Sequence, residues 1–391
     1  MLSSPIDRAL LHGLIELETT ATGLRPHRLP ASARAQWPDP QLAMTESQPS
    51  GIRLAFRTEA SIIELDTLPT KRVYPGFPAR PDGIYELVID GRLTRQASLT
   101  AGNVMRIDLA TGQSTLEPGA PGTLRFGDLP EGMKQIEIWL PHNETTELLA
   151  LRSDAPIAPE TCTRPVWLHH GSSISHGSDA RNPTGIWPVV AARRAGVSLI
   201  NLGFGGSALL DPFTARAIRD ASADLISLKL GINVVNTDLM RLRAFGPAVH
   251  GFLDTVREGH PTTPLLVVSP ILCPIHEETP GPTAPDLSDG RMRYRAAGDP
   301  AEIAAGKLTL AVIRSTLASI VAQRAVADPN LYYLDGRQLY GEADEASLPL
   351  PDRLHPDAAT HQVIGERFAQ LALAGSWGAL AAPPHPIDAF S

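Results

Sequence analysis

The chain has 391 residues, 43% of them hydrophobic, 19% charged and 5% aromatic, with a formal net charge of −8. That length exceeds one ordinary core, so two domains are expected, and the acidic balance offers no long-range attraction to nucleic-acid phosphates or anionic lipid. Two cysteines are too few for a disulfide framework or a cysteine-rich metal site.

The amino terminus carries no leader-like pattern, and no run approaches the roughly 20 apolar residues of a membrane helix. A cytoplasmic location with neither nucleic-acid nor membrane partners is therefore the expectation. Over the first part of the chain the pattern alternates. Segments 52–57 and 62–65 read as strands, and 85–89 runs into Asp90-Gly91, a dipeptide that tolerates the positive φ angles of a tight hairpin. Further strands are expected at 105–109, 123–126 and 135–140. Short strands without a long helix between them predict an all-β sandwich or jelly-roll domain over residues 1–155.

A proline-punctuated linker spans 152–164, and the second domain, 156–391, has a different grammar. Apolar strand runs at 166–168, 197–202, 225–230, 265–269 and 331–334 alternate with helical patterns at 187–194, 213–221, 243–258, 307–326 and 359–373. That alternation predicts an α/β fold, a parallel five-stranded sheet with helices on both sides. The stretch 273–300 shows neither period. Because it leaves a strand's carboxyl end, it reads as a lid.

Chemistry concentrates at the strand ends. The run Val166-Trp167-Leu168 empties into Gly171-Ser172-Ser173-Ile174-Ser175, a small-residue turn carrying three hydroxyls. Asn201 to Gly206 closes the second strand, Leu230-Gly231-Ile232-Asn233 the third, and Asp352-Arg353-Leu354-His355-Pro356 precedes the last helix. In an open parallel sheet these ends share one edge. A serine hydroxyl needs a base to take its proton, and the base needs a partner to fix its tautomer. His355 and Asp352, three residues apart, can serve as that pair, and Pro356 keeps His355 out of the following helix. The backbone N–H groups of Ser173 and Gly206 and the Asn233 amide are candidate oxyanion donors.

These blocks resemble those of the SGNH hydrolases, the GDSL esterase and lipase family. Gly171 to Ser175 matches the G-D-S-[LI]-[ST] block, Gly206 the glycine of the second block, Asn233 the asparagine of G-x-N-D, and Asp352 with His355 the D-x-x-H block. The resemblance implies the flavodoxin-like three-layer αβα fold, Ser173 as nucleophile, His355 as base, Asp352 as its orienting acid, and no cofactor. Ser172 and Val234 stand where the family usually has aspartates. In layout the chain is similar to a two-domain subgroup of actinobacterial GDSL proteins that includes an acyltransferase of natural-product tailoring.

Competing readings are weaker. Consecutive His169 and His170 point to opposite faces of a strand, and with His176 they lack a carboxylate to complete a metal set; His170 and His176 are instead candidate substrate contacts, with surface or packing roles equally open. Gly203 to Gly206 lacks the lysine and hydroxyl of a phosphate loop. Asp357 competes with Asp352 as the orienting acid and has the poorer spacing. His142 could face the catalytic half, but it reads first as a surface histidine. The expected function is serine-dependent acyl transfer through an acyl-Ser173 intermediate. An esterase or deacylase acting on a small-molecule or carbohydrate ester comes first, an O-acyltransferase drawing on an acyl thioester second, and an inactive carbohydrate-binding protein third.

Overall fold

The computed structural model describes residues 1–374 except 78, 109, 110 and 289. Leu109, the expected end of one strand, and the tail 375–391 lie outside the described residues. The chain divides into two compact units that exchange short segments. One comprises Met1–Ala31, Ala43–Thr163 and Asn182–Thr184; the other comprises Ser32–Leu42, Arg164–Arg181 and Gly185 onward.

The first unit is all-β in its main framework, with an eight-stranded and a six-stranded sheet. Leu54, Phe56, Ile136 and Ile138 from one sheet share a buried cluster with Ile63, Leu65, Leu148 and Leu151 from the other, so the two sheets form a sandwich. Asp90 and Gly91 take φ of 48° and 77°, turning Ile84–Ile89 tightly into Arg92–Ser98. Several strands escape the sequence reading, and Thr145–Ser153 shows why. It lies inside the larger sheet, but a register shift between Leu148 and Ala150 breaks its alternation. Asn182–Thr184 joins this unit through Glu86, whose carboxylate accepts from the Asn182 side chain and, at 2.6 Å, from the Thr184 N–H.

The second unit is a three-layer α/β fold. Its strands are β1 (Val166–Gly171), β2 (Ser198–Gly203), β3 (Leu225–Lys229), β4 (Leu265–Val268) and β5 (Leu331–Leu334). They pair in parallel in the order β2-β1-β3-β4-β5, with Gly171 opposite Gly203. That order is the flavodoxin-like one, and the sheet's direction of growth reverses at β1. Its main helices are α1 (Ser173–His176), α2 (Trp187–Ala195), α3 (Pro212–Asp220), α4 (Ile232–Asn236), α5 (Leu242–Gly259), α6 (Leu310–Ala325) and α7 (Ala358–Phe368), and a short helix spans Glu342–Ser347. Trp167 and His169 of β1 face Trp187 of α2 and Phe368 of α7, whereas His170 faces Phe252 of α5. Helices thus cover both faces.

Residues 300–325 correct one expectation, since by length and composition they pass as a bilayer span. Here α6 serves as a covering helix. Ile313, Leu317 and Val321 are buried, and the Arg314 guanidinium is paired with Glu277 at 2.7 Å.

Packing between α2 and α7 is tightest at Gly365, where a Cβ would lie 2.7 Å from Val190 Cγ1 and 2.8 Å from the Trp187 carbonyl oxygen. Alanine is favoured over glycine in a helix interior by about 1 kcal/mol, but here the backbone carbonyl cannot move aside cheaply. Gly365→Ala is expected to lower the melting temperature, and Val190→Ala to restore only part of the loss. A variant as stable as the wild type in thermal unfolding would show that the helices separate without cost.

Candidate active site

The β1 strand ends in a turn with no room for larger residues. A Cβ on Gly171 would lie 2.4 Å from Ser175 Oγ, and one on Gly203 would lie 2.4 Å from the His176 nitrogen. The Phe204 N–H donates to the Gly171 carbonyl at 2.8 Å, and Asn201 Nδ2 donates to the Ser175 carbonyl at 2.9 Å. Ser173 therefore opens α1 on a rigid support, and as the first residue of a helix its N–H has no acceptor within that helix.

Ser173 Oγ lies 3.0 Å from His355 Nε2, and His355 Nδ1 lies 2.7 Å from Asp352 Oδ2. Asp352 Oδ1 also accepts from the N–H groups of Leu354 and His355, at 2.8 and 2.6 Å. Burial alone would raise the Asp352 pKa, but the bonds from the His355 ring and the two N–H groups outweigh it and hold the carboxyl below its ordinary range. It remains a carboxylate facing the imidazole. Arg353 turns the loop with a φ of 70°. Asp357 is committed elsewhere, capping α7 through the Thr360 N–H at 2.9 Å.

The stretch 273–300 is not a structureless cover. Thr283–Asp286 and Arg293–Ala296 pair as antiparallel strands braced against the acid-base loop. The Tyr294 N–H donates to the Asp352 carbonyl at 2.9 Å, Arg353 meets Asp286 at 3.1 Å, and the Tyr294 ring stands edge-on to His355 with centroids 5.8 Å apart. The Cys273 thiol donates to the Arg353 carbonyl at 3.4 Å. Sequence reasoning missed these braces because the hairpin packs against a loop and so carries no apolar alternation.

Gly206 has a φ of 75°, in the left-handed region glycine favours. Asn233, buried in α4, accepts from the Ala208 N–H through Oδ1 at 3.1 Å, which ties the loop after β2 to the start of α4 and leaves the Asn233 NH₂ as a donor. Gln41 Nε2 donates to the Gly205 carbonyl at 2.7 Å, a contact with no signal in the sequence.

The flanking histidines divide. His169 is enclosed by aromatic rings, with Ser227 Oγ 2.7 Å from Nδ1 and Ser175 Oγ 2.8 Å from Nε2; burial holds its pKa well below the usual value. His170 corrects the substrate-contact expectation. It is 1% exposed, stacked on Phe252 and bonded to the Leu202 carbonyl, which makes it a core residue. His176 is buried at the end of α1. His142 is buried within the β unit, not on its surface. Ser172 and Val234 are also buried. Among the described residues, Asp179, Asp352 and His355 each place a ligand atom within 4.8 Å of the others. Both His355 ring nitrogens already have partners, so a metal would have to displace Asp352 or Ser173.

Residues 163–273 match the model of the GDSL-like Lipase/Acylhydrolase family. Among solved structures, the chain is similar to the salicylyl-acyltransferase SsfX3 from a tetracycline biosynthetic pathway, with 28% identity over 97% of this chain and 98% of that one and a TM-score of 0.78. Together the two findings support an SGNH hydrolase similar to that acyltransferase. A putative GDSL-like lipase from Bacteroides ovatus (19% identity, covering 92% of this chain and 93% of that one, TM-score 0.66) shares the fold. So does a family two carbohydrate esterase from Clostridium thermocellum (15%, 82% and 91%, 0.56). A comparison with curated protein sequences returns no match. The family match ends before Asp352 and His355, and it is the fold that brings them to Ser173.

Burial pushes both His170 and His361 down to about 4. His361 accepts from the Trp187 N–H through Nδ1 and donates through Nε2 to the Ser178 carbonyl, an arrangement only the neutral ring can make. In the unfolded chain each titrates near 6.5. Below that pH the unfolded state binds more protons, so stability falls as the pH drops from 6.5 toward 4, by about 2 kcal/mol per histidine at pH 5. Urea unfolding at pH 7.5 and 5 should show this loss, and His170→Gln should make it smaller. An unchanged difference between the two pH values would remove His170 from the account.

Proposed function

We propose that the protein transfers acyl groups through a covalent acyl-Ser173 intermediate. The observation that carries this reading is the continuous chain of contacts from Ser173 Oγ through the His355 ring to Asp352, at 3.0 and 2.7 Å. His355 Nε2 takes the hydroxyl proton as Oγ attacks the acyl carbonyl, and the Asp352 carboxylate stabilises the imidazolium that forms. The Ser173 and Gly206 N–H groups and the Asn233 amide receive the oxyanion, each contributing about 3 to 4 kcal/mol where the donor is well placed. His355 then protonates the leaving alcohol or thiol. In the second half-reaction it deprotonates the acceptor, which attacks the acyl-serine.

With water as acceptor the protein is an esterase or deacylase acting on a small-molecule or carbohydrate ester, the first reading. An alcohol acceptor makes it an O-acyltransferase supplied by an acyl thioester. The second reading has its own support in the likeness to the salicylyl-acyltransferase along almost the whole chain, β unit included, whereas the carbohydrate esterase shares only the fold. No cofactor enters either scheme.

Labelling with a fluorophosphonate and peptide mapping should place the adduct on Ser173. Ser173→Ala should abolish it, and an adduct on another serine would overturn the assignment. Asp352→Asn should lower kcat by about 10³ to 10⁴-fold by favouring the wrong tautomer, and Asn233→Ala by about 10² to 10³-fold. Loss below tenfold in either variant contradicts the role given to that residue. With p-nitrophenyl esters or acyl-CoA as donor, ester product forming faster than free acid when small alcohols are added selects the transferase. Acid release insensitive to any alcohol selects the hydrolase.

A further inference from the structure

The oxyanion donor assigned to Gly206 sits in the least self-determined peptide of the site. Gly205 and Gly206 are adjacent glycines, and Gly206 already occupies the left-handed region, so a flip of the amide between them meets no Cβ penalty. Such a flip would point a carbonyl where the N–H is needed. Something outside the loop has to set its direction.

That brace comes from residues 32–42, the early segment that groups with the α/β unit. Gln41 stands second in a helix, Pro40–Glu46, whose Leu42 N–H is capped by Asp39 at 2.8 Å. Its Nε2 donates to the Gly205 carbonyl at 2.7 Å. A Cβ on Gly206 would lie 3.2 Å from the same nitrogen and 3.4 Å from Gln41 Cγ, so the side chain lies along the loop. The segment has a second tether, where Gln36 Oε1 accepts from Arg216 of α3.

The Gly205 carbonyl and the Gly206 N–H belong to one planar amide and point in opposite directions. Holding the carbonyl therefore aims the N–H. A donor on the carbonyl also draws charge toward oxygen and makes the N–H a stronger donor, as in any chain of polarised hydrogen bonds. We infer that Gln41 is a positioning residue for the oxyanion hole, acting on the Gly206 N–H through the Gly205 carbonyl. It touches no reacting atom. The inference rests on the acyl-serine reading, since without an oxyanion at Gly206 the brace would have nothing to serve.

Gln41→Met keeps the length of the side chain and removes the donor, and Gln36→Ala loosens the same segment without touching the oxyanion loop. Both are measured in the full-length chain against a p-nitrophenyl ester, with a boronic acid as the probe that turns tetrahedral on Ser173. The expected result for Gln41→Met is a kcat lowered about tenfold, a KM within about twofold, and a boronate Ki raised by the same factor as kcat falls, with an unchanged melting temperature. Gln36→Ala is expected to leave kcat and Ki at wild-type values. Wild-type kcat and Ki in Gln41→Met overturn the inference, and so does an equal loss in Gln36→Ala, which would show that general loosening of the segment is responsible. If the wild-type protein neither binds boronate nor labels at Ser173, the acyl-serine reading fails and the inference falls with it. Labelling together with an indifferent Gln41→Met removes Gln41 alone.

Discussion

The absence of space where β1 meets the loop after β2 is the constraint on which the candidate active site depends. Gly171 and Gly203 pair across the strands, and each excludes a side chain because α1 lies against it. A methyl group at either position would push α1 away from the sheet edge. Ser173 Oγ would then move away from the His355 Nε2 it now meets. Register in the parallel sheet, set by buried apolar residues on both faces, thus becomes position in the active site.

The acid-base half is held in a different way. Asp352 and His355 lie on a loop, which inherits no geometry from the sheet, and their positions come from polar contacts. The hairpin clamps the Asp352 carbonyl and the Arg353 guanidinium, and the Cys273 thiol takes the Arg353 carbonyl. Ser173 and His355 therefore depend on separate supports. Close packing fixes one and a small set of hydrogen bonds fixes the other, so different perturbations loosen each of them.

What could be read from the sequence follows this division. The Ser173 turn, Gly206, Asn233 and the Asp352–His355 pair are short local patterns, and their types and spacing are visible without a structure. The five-stranded sheet was equally legible, because its apolar runs alternate with long helical patterns. Gln41, Tyr294 and Cys273 were not legible as parts of the site. Each acts through a contact distant in sequence, and Gln41 and Gly205 are 164 positions apart. For His170 the sequence left pocket and packing roles open, since nearness to Ser173 in the chain favours the first, and the strand decides for the second by turning it into the layer under α5. In the β unit, the edge strands Leu2–Ser4 and Glu16–Thr19 are too short and too exposed to show alternation.

The exchange of segments between the two units has a consequence for the order of synthesis. Gln36 leaves the ribosome 180 residues before the arginine it will bind, and Asn182 leaves it 96 residues after the glutamate that awaits it. The β unit is therefore incomplete until part of the α/β unit has been made, and the α/β unit closes only when a segment from near the amino terminus returns to it. Neither unit therefore has all of its contacts until sequence on both sides of the Thr163–Arg164 division has been made.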